Sequence, residues 1–207
     1  MTLHQKLEKL EQVVLRARAH FDIWWIYAGA DTCPRLLPTM NDFSEFFRFD
    51  EHAHQFTFVV YLHQLLDQRA KTINLRAVIA EAQAASYRVQ AIERAATIVT
   101  QMEPVCKKLV ILRSNLFAHR SDQLAWNDAF SKAHISTNEI RTFTEQGLAA
   151  VHALLDATGS HLNHFGDLPQ RDVLRLFEGL GGRQLTSRSS GPAARAARTP
   201  AAAERKR

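Results

Sequence analysis

The sequence predicts an all-α protein, folded as a bundle of five to seven helices. Only 8 glycines and 6 prolines occur among the 207 residues, which is too few for a turn-rich β fold. The N-terminal segment repeats apolar residues at alternating spacings of four and three, the pattern of a packed helix. Ser136 and Glu139 form a capping-box signature directly before a second apolar helical pattern.

The N-terminal pattern predicts one long helix of roughly 39 Å, ending near Ala28. Trp24 and Trp25 are adjacent and cannot face the same direction, so we expect one in the core and the other at an interface. Such a seam packs within a bundle or against another chain. The residues of the seam are Leu3, Leu7, Leu10, Val14, Ala17, Phe21, Trp24 and Ala28.

Proline and turn-forming residues then predict a loop over Asp31–Pro38. An asparagine and an aspartate after this loop are suitable helix caps. Three helices are predicted before residue 85: Phe43–Phe47 with Asn41 or Asp42 as its cap, His52–Arg69, and a short helix near Asn74–Ala84.

The sequence from residue 85 onwards predicts further helical segments. Pro104 interrupts a helical pattern, and because proline is tolerated in a first turn, a new helix is predicted from about Glu103. Glycines at 179, 181 and 182 predict the end of the last helix. The predicted helices are Ala85–Gln101, one from Glu103 with an apolar seam at Val105, Leu109, Leu112 and Leu116, one after Ser136 with Ile140, Phe143, Gly147, Val151 and Leu154 on its apolar face, and Leu168–Leu180.

The net charge of +5 comes from the C-terminal segment. Seven basic residues and one acid fall between 181 and 207, so residues 1–180 carry about −1. This segment has one large apolar residue, Leu185, which is too little to offset the entropy of ordering it. We predict a helical domain over 1–180 and a disordered basic tail over 181–207, either simply solvated or in weak, salt-sensitive contact with RNA.

Targeting and cofactor signals point to a cytoplasmic protein without a bound cofactor. No apolar run approaches the roughly 18 residues of a membrane span, and the charged start does not resemble a signal peptide. Cys33 and Cys106 are expected to be free thiols. His52-x-His54 and His161-x-x-His164 have poor or incomplete metal-ligand sets, so we expect no metal site.

One segment, Pro104–Ser121, contains no acidic residue. On a helix, Arg113 would lie at the edge of the apolar seam, and His119 would point about 120° away from it. Partial unwinding near Phe117–Arg120 would let both face one anion. Alternatively, Arg113 is a surface charge and His119 caps a helix end. The basic residues of the segment are Lys107, Lys108, Arg113 and Arg120.

The pair Arg113-x5-His119 matches the R-x(4–6)-H motif of the HEPN superfamily. The stretch Leu112–Asp122 resembles the abortive-infection branch of that superfamily, the AbiU-type HEPN proteins. Leu62–Asp67 followed by Asn74-Leu75 is similar to the same branch, as is the aromatic end of the first helix, Trp24–Tyr27. The resemblance covers roughly residues 10–160 and implies a HEPN-like helical bundle.

The resemblance implies a metal-independent endoribonuclease of a toxin or phage-defence system, with RNA as substrate and a possible antitoxin partner. Arg113 would stabilise phosphate charge and His119 would transfer protons. Related proteins dimerise around the motif, which implies a homodimer. Ser114 stands where active relatives often carry Asn, Asp or His. The alternatives are a non-catalytic RNA- or protein-binding module and a purely structural scaffold. The expected RNA-positioning residues are Lys107, Lys108, Ser114, Asn115 and Arg120.

Overall fold

A computed structural model of the chain describes residues 1–67, 69, 71–118, 126–160 and 166–189, and this part is all-α, as predicted. It contains eight helices, more than the predicted five to seven, and no strand. The helices are α1 (Leu3–Ala28), α2 (Cys33–Asp42), α3 (Ser44–Leu65), α4 (Leu75–Ala84), α5 (Val89–Ala118), α6 (Trp126–Ala133), α7 (Thr137–Thr158) and α8 (Leu168–Ser189).

The first helix has the predicted bounds and the predicted buried face. The Thr2 hydroxyl accepts from the backbone N–H of Gln5 at 3.3 Å, and the Gln5 side chain accepts from the Thr2 N–H at 3.0 Å. This reciprocal capping satisfies N–H groups that have no partner inside the helix. Every residue of the predicted seam except Ala28 is buried, so α1 packs within its own bundle, mainly against α3 and α7.

The core has two parts. The larger lies among α1, α3, α4, α5, α6 and α7 and includes the fully buried Phe58 and Phe143. The smaller closes the C-terminal end of α1, where Phe47 of α3 stacks on Phe177 of α8 with ring centroids 4.8 Å apart. This second cluster holds α2 and α8 on the bundle, because each contributes an apolar residue to it.

The capping box predicted at Ser136 is present. Its hydroxyl accepts from the Glu139 N–H at 3.2 Å, and the Glu139 carboxylate accepts from the Ser136 N–H at 2.8 Å. At the other end of α7, Gly159 adopts φ +68°, a left-handed conformation that favours glycine. The predicted apolar face of α7 is buried, and α7 packs along α5.

The predicted loop over Asp31–Pro38 is wrong, because α2 forms there. Pro34 lies in the first turn, where no helical N–H is needed. Pro38 leaves a carbonyl one turn earlier without its helical partner, but both prolines are exposed, so water can solvate that group. Burial of Leu36 in the smaller core cluster stabilises the helix.

The predicted break between Phe47 and His52 is also absent, since α3 is continuous. Phe43 is its N-cap without a side-chain hydrogen bond, so neither Asn41 nor Asp42 is the cap. The Tyr27 hydroxyl donates to Asp50 at 2.7 Å and ties this part of α3 to α1.

Pro104 does not divide the helix that contains it. The structure has one helix, α5, where two were predicted. Pro104 provides no N–H for the carbonyl of Thr100, but Thr100 and Pro104 both face solvent, so water can solvate that carbonyl. Val99, Met102 and Cys106 are buried on either side of Pro104, and their packing stabilises the helix across the proline.

The last helix also extends further than predicted. It was expected to stop at Leu180, but α8 continues through Gly181 and Gly182 to Ser189. Residues 190–207 lie outside the described part, so the division into a domain and a basic tail stays a prediction.

Both cysteines are free thiols, as predicted. Cys106 is buried on α5, and burial raises the pKa of its thiol, which keeps it protonated and poorly nucleophilic. Among the described helices, none combines the length and apolar character needed to cross a membrane.

Gly147 marks the closest approach of α7 to the bundle. An added Cβ there would lie 2.9 Å from Cδ1 of Leu65 and 3.3 Å from Cγ2 of Val14. Gly147→Val is therefore expected to lower the free energy of unfolding by about 1–3 kcal/mol. For a domain of this size, each kcal/mol corresponds to about 2–4 °C in Tm, which scanning calorimetry would measure.

The matched control is Gly179→Ala on α8, where an added Cβ meets nothing within 4 Å. Alanine should stabilise that helix by about 0.5–1 kcal/mol relative to glycine. An unchanged Tm in Gly147→Val would contradict the close approach of α7 to Leu65 and Val14.

Candidate functional site

The candidate site lies along the groove between α3 and α5. Asp67, just after α3, acts electrostatically on the Cys106 thiol of α5. His63, one turn before Asp67, is influenced by Arg113, about two turns after Cys106. These two relations indicate that the helices run antiparallel. Arg113 is half-buried and directly follows the fully buried Leu112. Its guanidinium therefore emerges at the rim of the groove, at the edge of the apolar seam as predicted.

His63 is the residue that the structure adds to this site. It is half-buried on α3, between the buried Leu62 and Leu66. Burial lowers the pKa of its imidazole, and the Arg113 cation lowers it further. The imidazole is consequently neutral at pH 7 and can accept a proton. His63 lies within the Leu62–Asp67 stretch, but its relation to Arg113 depends on packing between two helices, so no local sequence signal marks it.

The carboxylate nearest to His63 is already occupied. Asp67 is buried and accepts hydrogen bonds from Nε of Arg69 at 2.8 Å and from the Arg69 backbone N–H at 3.0 Å. These bonds, mainly the side-chain ones, lower the pKa of Asp67 to about 2. Asp67 is therefore an ionised partner of Arg69, and the rest of the Arg69 side chain is exposed to solvent.

Two further acids near α5 are paired with bases other than Arg113. Glu103 forms an ion pair with Arg76, and Glu139 forms one with Lys108 at 2.5 Å. Since Glu139 also caps α7, Lys108 links α5 to that cap. Lys108, predicted to contact RNA, is thus half-buried and held by a carboxylate, whereas Lys107 is exposed.

The side chains next to Arg113 differ in what they offer to a ligand. Ser114 is exposed, but the amide of Asn115 donates to the backbone carbonyl of Ile111 at 2.9 Å, so part of its hydrogen-bonding capacity is used within the helix. Val110 and Ile111 are 43% and 46% exposed, although both are large and apolar. The surface beside Arg113 is therefore apolar as well as basic.

The structure does not test the pairing of Arg113 with His119. His119 and Arg120 lie outside the described residues. The backbone is helical as far as Ala118, so the unwinding predicted near Phe117–Arg120 does not begin at Phe117 or Ala118. Among the described residues, Arg113 acts electrostatically on His63.

A second polar cluster joins α1 to α3. Nδ1 of His20 lies 2.9 Å from Nδ1 of His54, so the two nitrogens share one proton. Nε2 of His54 lies 3.6 Å from the Asp50 carboxylate. Burial lowers the pKa of both imidazoles, which favours their neutral forms. Within the described ranges, no group of three potential ligands surrounds a position for a metal ion. The pair His161/His164, where no metal site was expected, lies outside these ranges.

Comparison with known proteins gives one match. The model of the HEPN AbiU2 family matches residues 2–176, which includes the groove with His63 and Arg113. No curated protein and no solved structure matches the chain. The matched region starts at the cap of α1 and reaches into α8, so it covers α1 to α7 and the first part of α8.

Proposed function

The chain belongs to the HEPN AbiU2 family, which is associated with abortive infection, and on that premise we propose that it is a metal-independent endoribonuclease of a toxin or phage-defence system. HEPN proteins are often ribonucleases. The observation that carries the proposal is the position of Arg113, half-buried next to Leu112 and within electrostatic reach of His63. Asp67, the carboxylate that acts on His63, is paired with Arg69, and no acid among the described residues pairs with Arg113, which leaves its charge for a phosphate.

Such a site can cleave RNA without a metal ion, because RNA carries its own nucleophile, the 2′-hydroxyl. Arg113 presents a fixed fork of donors that stabilises the charge developing on the phosphate. His119 transfers protons, since an imidazole titrates near neutral pH. The backbone of the RNA would be positioned by Lys107, Lys108, Ser114, Asn115 and Arg120, with Lys108 contributing only when it leaves Glu139.

We propose that the active enzyme is a homodimer with its site at the interface. One histidine cannot readily act as acid and base in the same step, and a second copy brings a second motif. The exposed Val110 supports this arrangement, because it lies three residues before Arg113 and places apolar surface on the same side of α5. A two-fold contact on this side would bury Val110 and bring the two Arg113 side chains together.

As a toxin, the protein would act on RNA in the cytoplasm and would be restrained by a cognate antitoxin protein. The groove offers such a partner the same charged and apolar residues that it offers to RNA. An antitoxin that covers Arg113 and Val110 would therefore block substrate and dimer contacts together.

The test is to incubate the purified protein with RNA in EDTA. Cleavage is expected without added metal, with products that end in 2′,3′-cyclic phosphate and 5′-hydroxyl. His119→Ala is expected to lower the rate by about 10²–10⁴, the usual contribution of proton transfer. An unchanged rate in His119→Ala, or products with a free 3′-hydroxyl, would overturn the proposal.

One observation favours a second candidate, a non-catalytic RNA- or protein-binding module. Ser114 occupies a position where active relatives often carry Asn, Asp or His, and Asn115 is partly engaged with its own helix. This alternative predicts RNA binding that weakens in Arg113→Ala and falls steeply with salt, with no cleavage under any condition.

A further inference from the structure

We propose that Arg141 and Trp25 form a second phosphate-binding site, which holds the backbone of single-stranded RNA away from the bond that is cleaved. This inference rests on the proposed ribonuclease function and deepens it, because it predicts a substrate longer than the two nucleotides that flank the cleaved bond. Of the two adjacent tryptophans, Trp24 is 7% exposed and lies in the core, whereas Trp25 is half-buried and is the one that reaches the surface.

Arg141 lies on the indole ring of Trp25, across the contact between α7 and α1. Its Cζ is 4.9 Å from the centroid of the Trp25 ring and 6.0 Å from that of the buried Phe21. A guanidinium at this distance is attracted by the electrons of the ring face. The indole is itself held against Gly29, where an added Cβ would lie 3.0 Å from its Nε1 and Cε2. The Arg141 side chain is therefore positioned before any ligand binds.

The positive charge of Arg141 is not neutralised within the part of the chain that the structure describes. No acid there forms an ion pair with it, and the Glu145 carboxylate, one turn later on α7, is exposed. Asp22, one turn before the stacked tryptophan, already accepts from Nε of Arg18 at 3.0 Å and from the Gln170 amide at 2.8 Å. A half-buried guanidinium in these surroundings favours an anion that accepts two parallel hydrogen bonds, as a phosphate does.

This site lies at the same end of the bundle as Arg113. The contact between Arg141 and α1 places the start of α7 beside the end of α1, and the Lys108–Glu139 ion pair places that same start beside the second half of α5. Arg113 follows Lys108 by five residues, or about 7.5 Å of helix. Because the two arginines lie on different helices, they are separated by roughly one to two interaxial distances of 8–10 Å. One RNA strand reaches both only if it extends beyond the cleaved phosphate.

The two arginines therefore have different effects on the reaction. Arg113 contacts the phosphate whose bonds change, whereas Arg141 contacts a phosphate that is unchanged in the transition state. Its contribution to binding is then the same in the ground state and in the transition state, so its loss should raise KM and leave kcat unchanged. This makes Arg141 a positioning residue for the strand.

Binding can be measured without cleavage on a labelled 2′-O-methyl RNA of about 12 nucleotides, by fluorescence anisotropy. Arg141→Ala is expected to weaken binding at least about tenfold, as for the loss of a hydrogen bond to a charged group. It should also reduce the slope of log K against log salt by about 0.7, the share of one phosphate contact on a single strand. Arg141→Lys and Trp25→Leu keep the cation, so both should weaken binding without changing that slope.

Cleavage of RNAs of different length tests the position of the site. On a strand of about 12 nucleotides, kcat/KM of Arg141→Ala should fall by about the factor lost in binding, through KM. On a dinucleotide, which cannot reach α7, the ratio of wild-type to variant kcat/KM should fall to about one. The matched control is Arg88→Ala at the other end of α5, where the side chain pairs with Asp156 on the surface. It should bind and cleave both RNAs like the wild type.

Wild-type affinity and salt slope in Arg141→Ala would overturn this inference and leave the ribonuclease proposal standing. An equal loss on the dinucleotide and on the longer strand would also overturn it, because Arg141 would then act at the cleaved phosphate or only on the fold. Displacement of the RNA by polyglutamate as readily as by unlabelled RNA would make this a site for acidic polypeptides instead. Absence of cleavage by the wild type would remove the ribonuclease proposal alone, since the binding measurement still decides whether Arg141 holds RNA.

Discussion

Arg113→Ala is expected to remove most of the RNA cleavage, lowering kcat/KM by about 10²–10³, the usual effect of losing one donor to a developing oxyanion. Arg113 is half-buried next to Leu112, and the nearby Asp67 carboxylate that acts on His63 is bound to Arg69. No neighbouring cation in the described part of the groove has the same position, so none can replace it. Initial rates on a defined RNA in EDTA would measure the loss.

The geometry of the side chain matters as well as its charge. Arg113→Lys keeps the cation but loses the planar fork, so it should remain well below the wild type. In cells, toxicity on expression should disappear in Arg113→Ala and be reduced in Arg113→Lys. Arg94→Ala is the matched control: it lies on α5 at the far end from the site and pairs with Asp156 on the surface, so its removal should leave cleavage unchanged. Equal losses in Arg94→Ala and Arg113→Ala would indicate damage to the helix.

The same variant has a consequence that can be measured without substrate. Because the Arg113 cation lowers the pKa of His63, Arg113→Ala should raise that pKa toward 6.5. Burial still lowers it, so the shift is only partial. NMR titration of the imidazole would detect the change, and an unmoved pKa would contradict the proximity of the two side chains.

The parts of the fold that the sequence predicted well are those set by local signals. The apolar seam of α1 and the Ser136/Glu139 box of α7 depend on residues three or four positions apart, and both are present. The prolines gave the wrong expectation at α2 and α5. Their local cost is real, but burial of Leu36 and Met102 in the assembled bundle outweighs it.

The residues of the candidate site also differ in whether local sequence signals or packing between helices set their positions. Arg113 follows from the motif and from its place beside Leu112, both of which are local. His63 joins the site only because α3 and α5 pack antiparallel, a relation between residues about 50 positions apart that periodicity does not encode. The ion pair of Lys108 with Glu139 is another such relation between distant residues, and the RNA-positioning roles of Lys108 and Asn115 stay proposals.

Val110→Glu is expected to separate the proposed homodimer and to abolish most of its activity. Val110 is 43% exposed, lies on the same face of α5 as Lys107 and Ser114, and precedes Arg113 by three residues, or about one turn. Two glutamates brought together at a two-fold contact would repel each other and would be costly to desolvate. Light scattering should then report a monomer, and the specific cleavage rate of the wild type should rise with protein concentration until the dimer is saturated.

The matched control is Val89→Glu, the same kind of change at the opposite end of α5, where the valine is 63% exposed. It should leave both mass and activity unchanged. A monomeric Val110→Glu variant with full activity would mean that one chain is sufficient. A dimeric variant without activity would mean that the interface lies elsewhere and that Val110 contacts RNA. The two measurements together therefore separate the role of the second copy from the role of the groove itself.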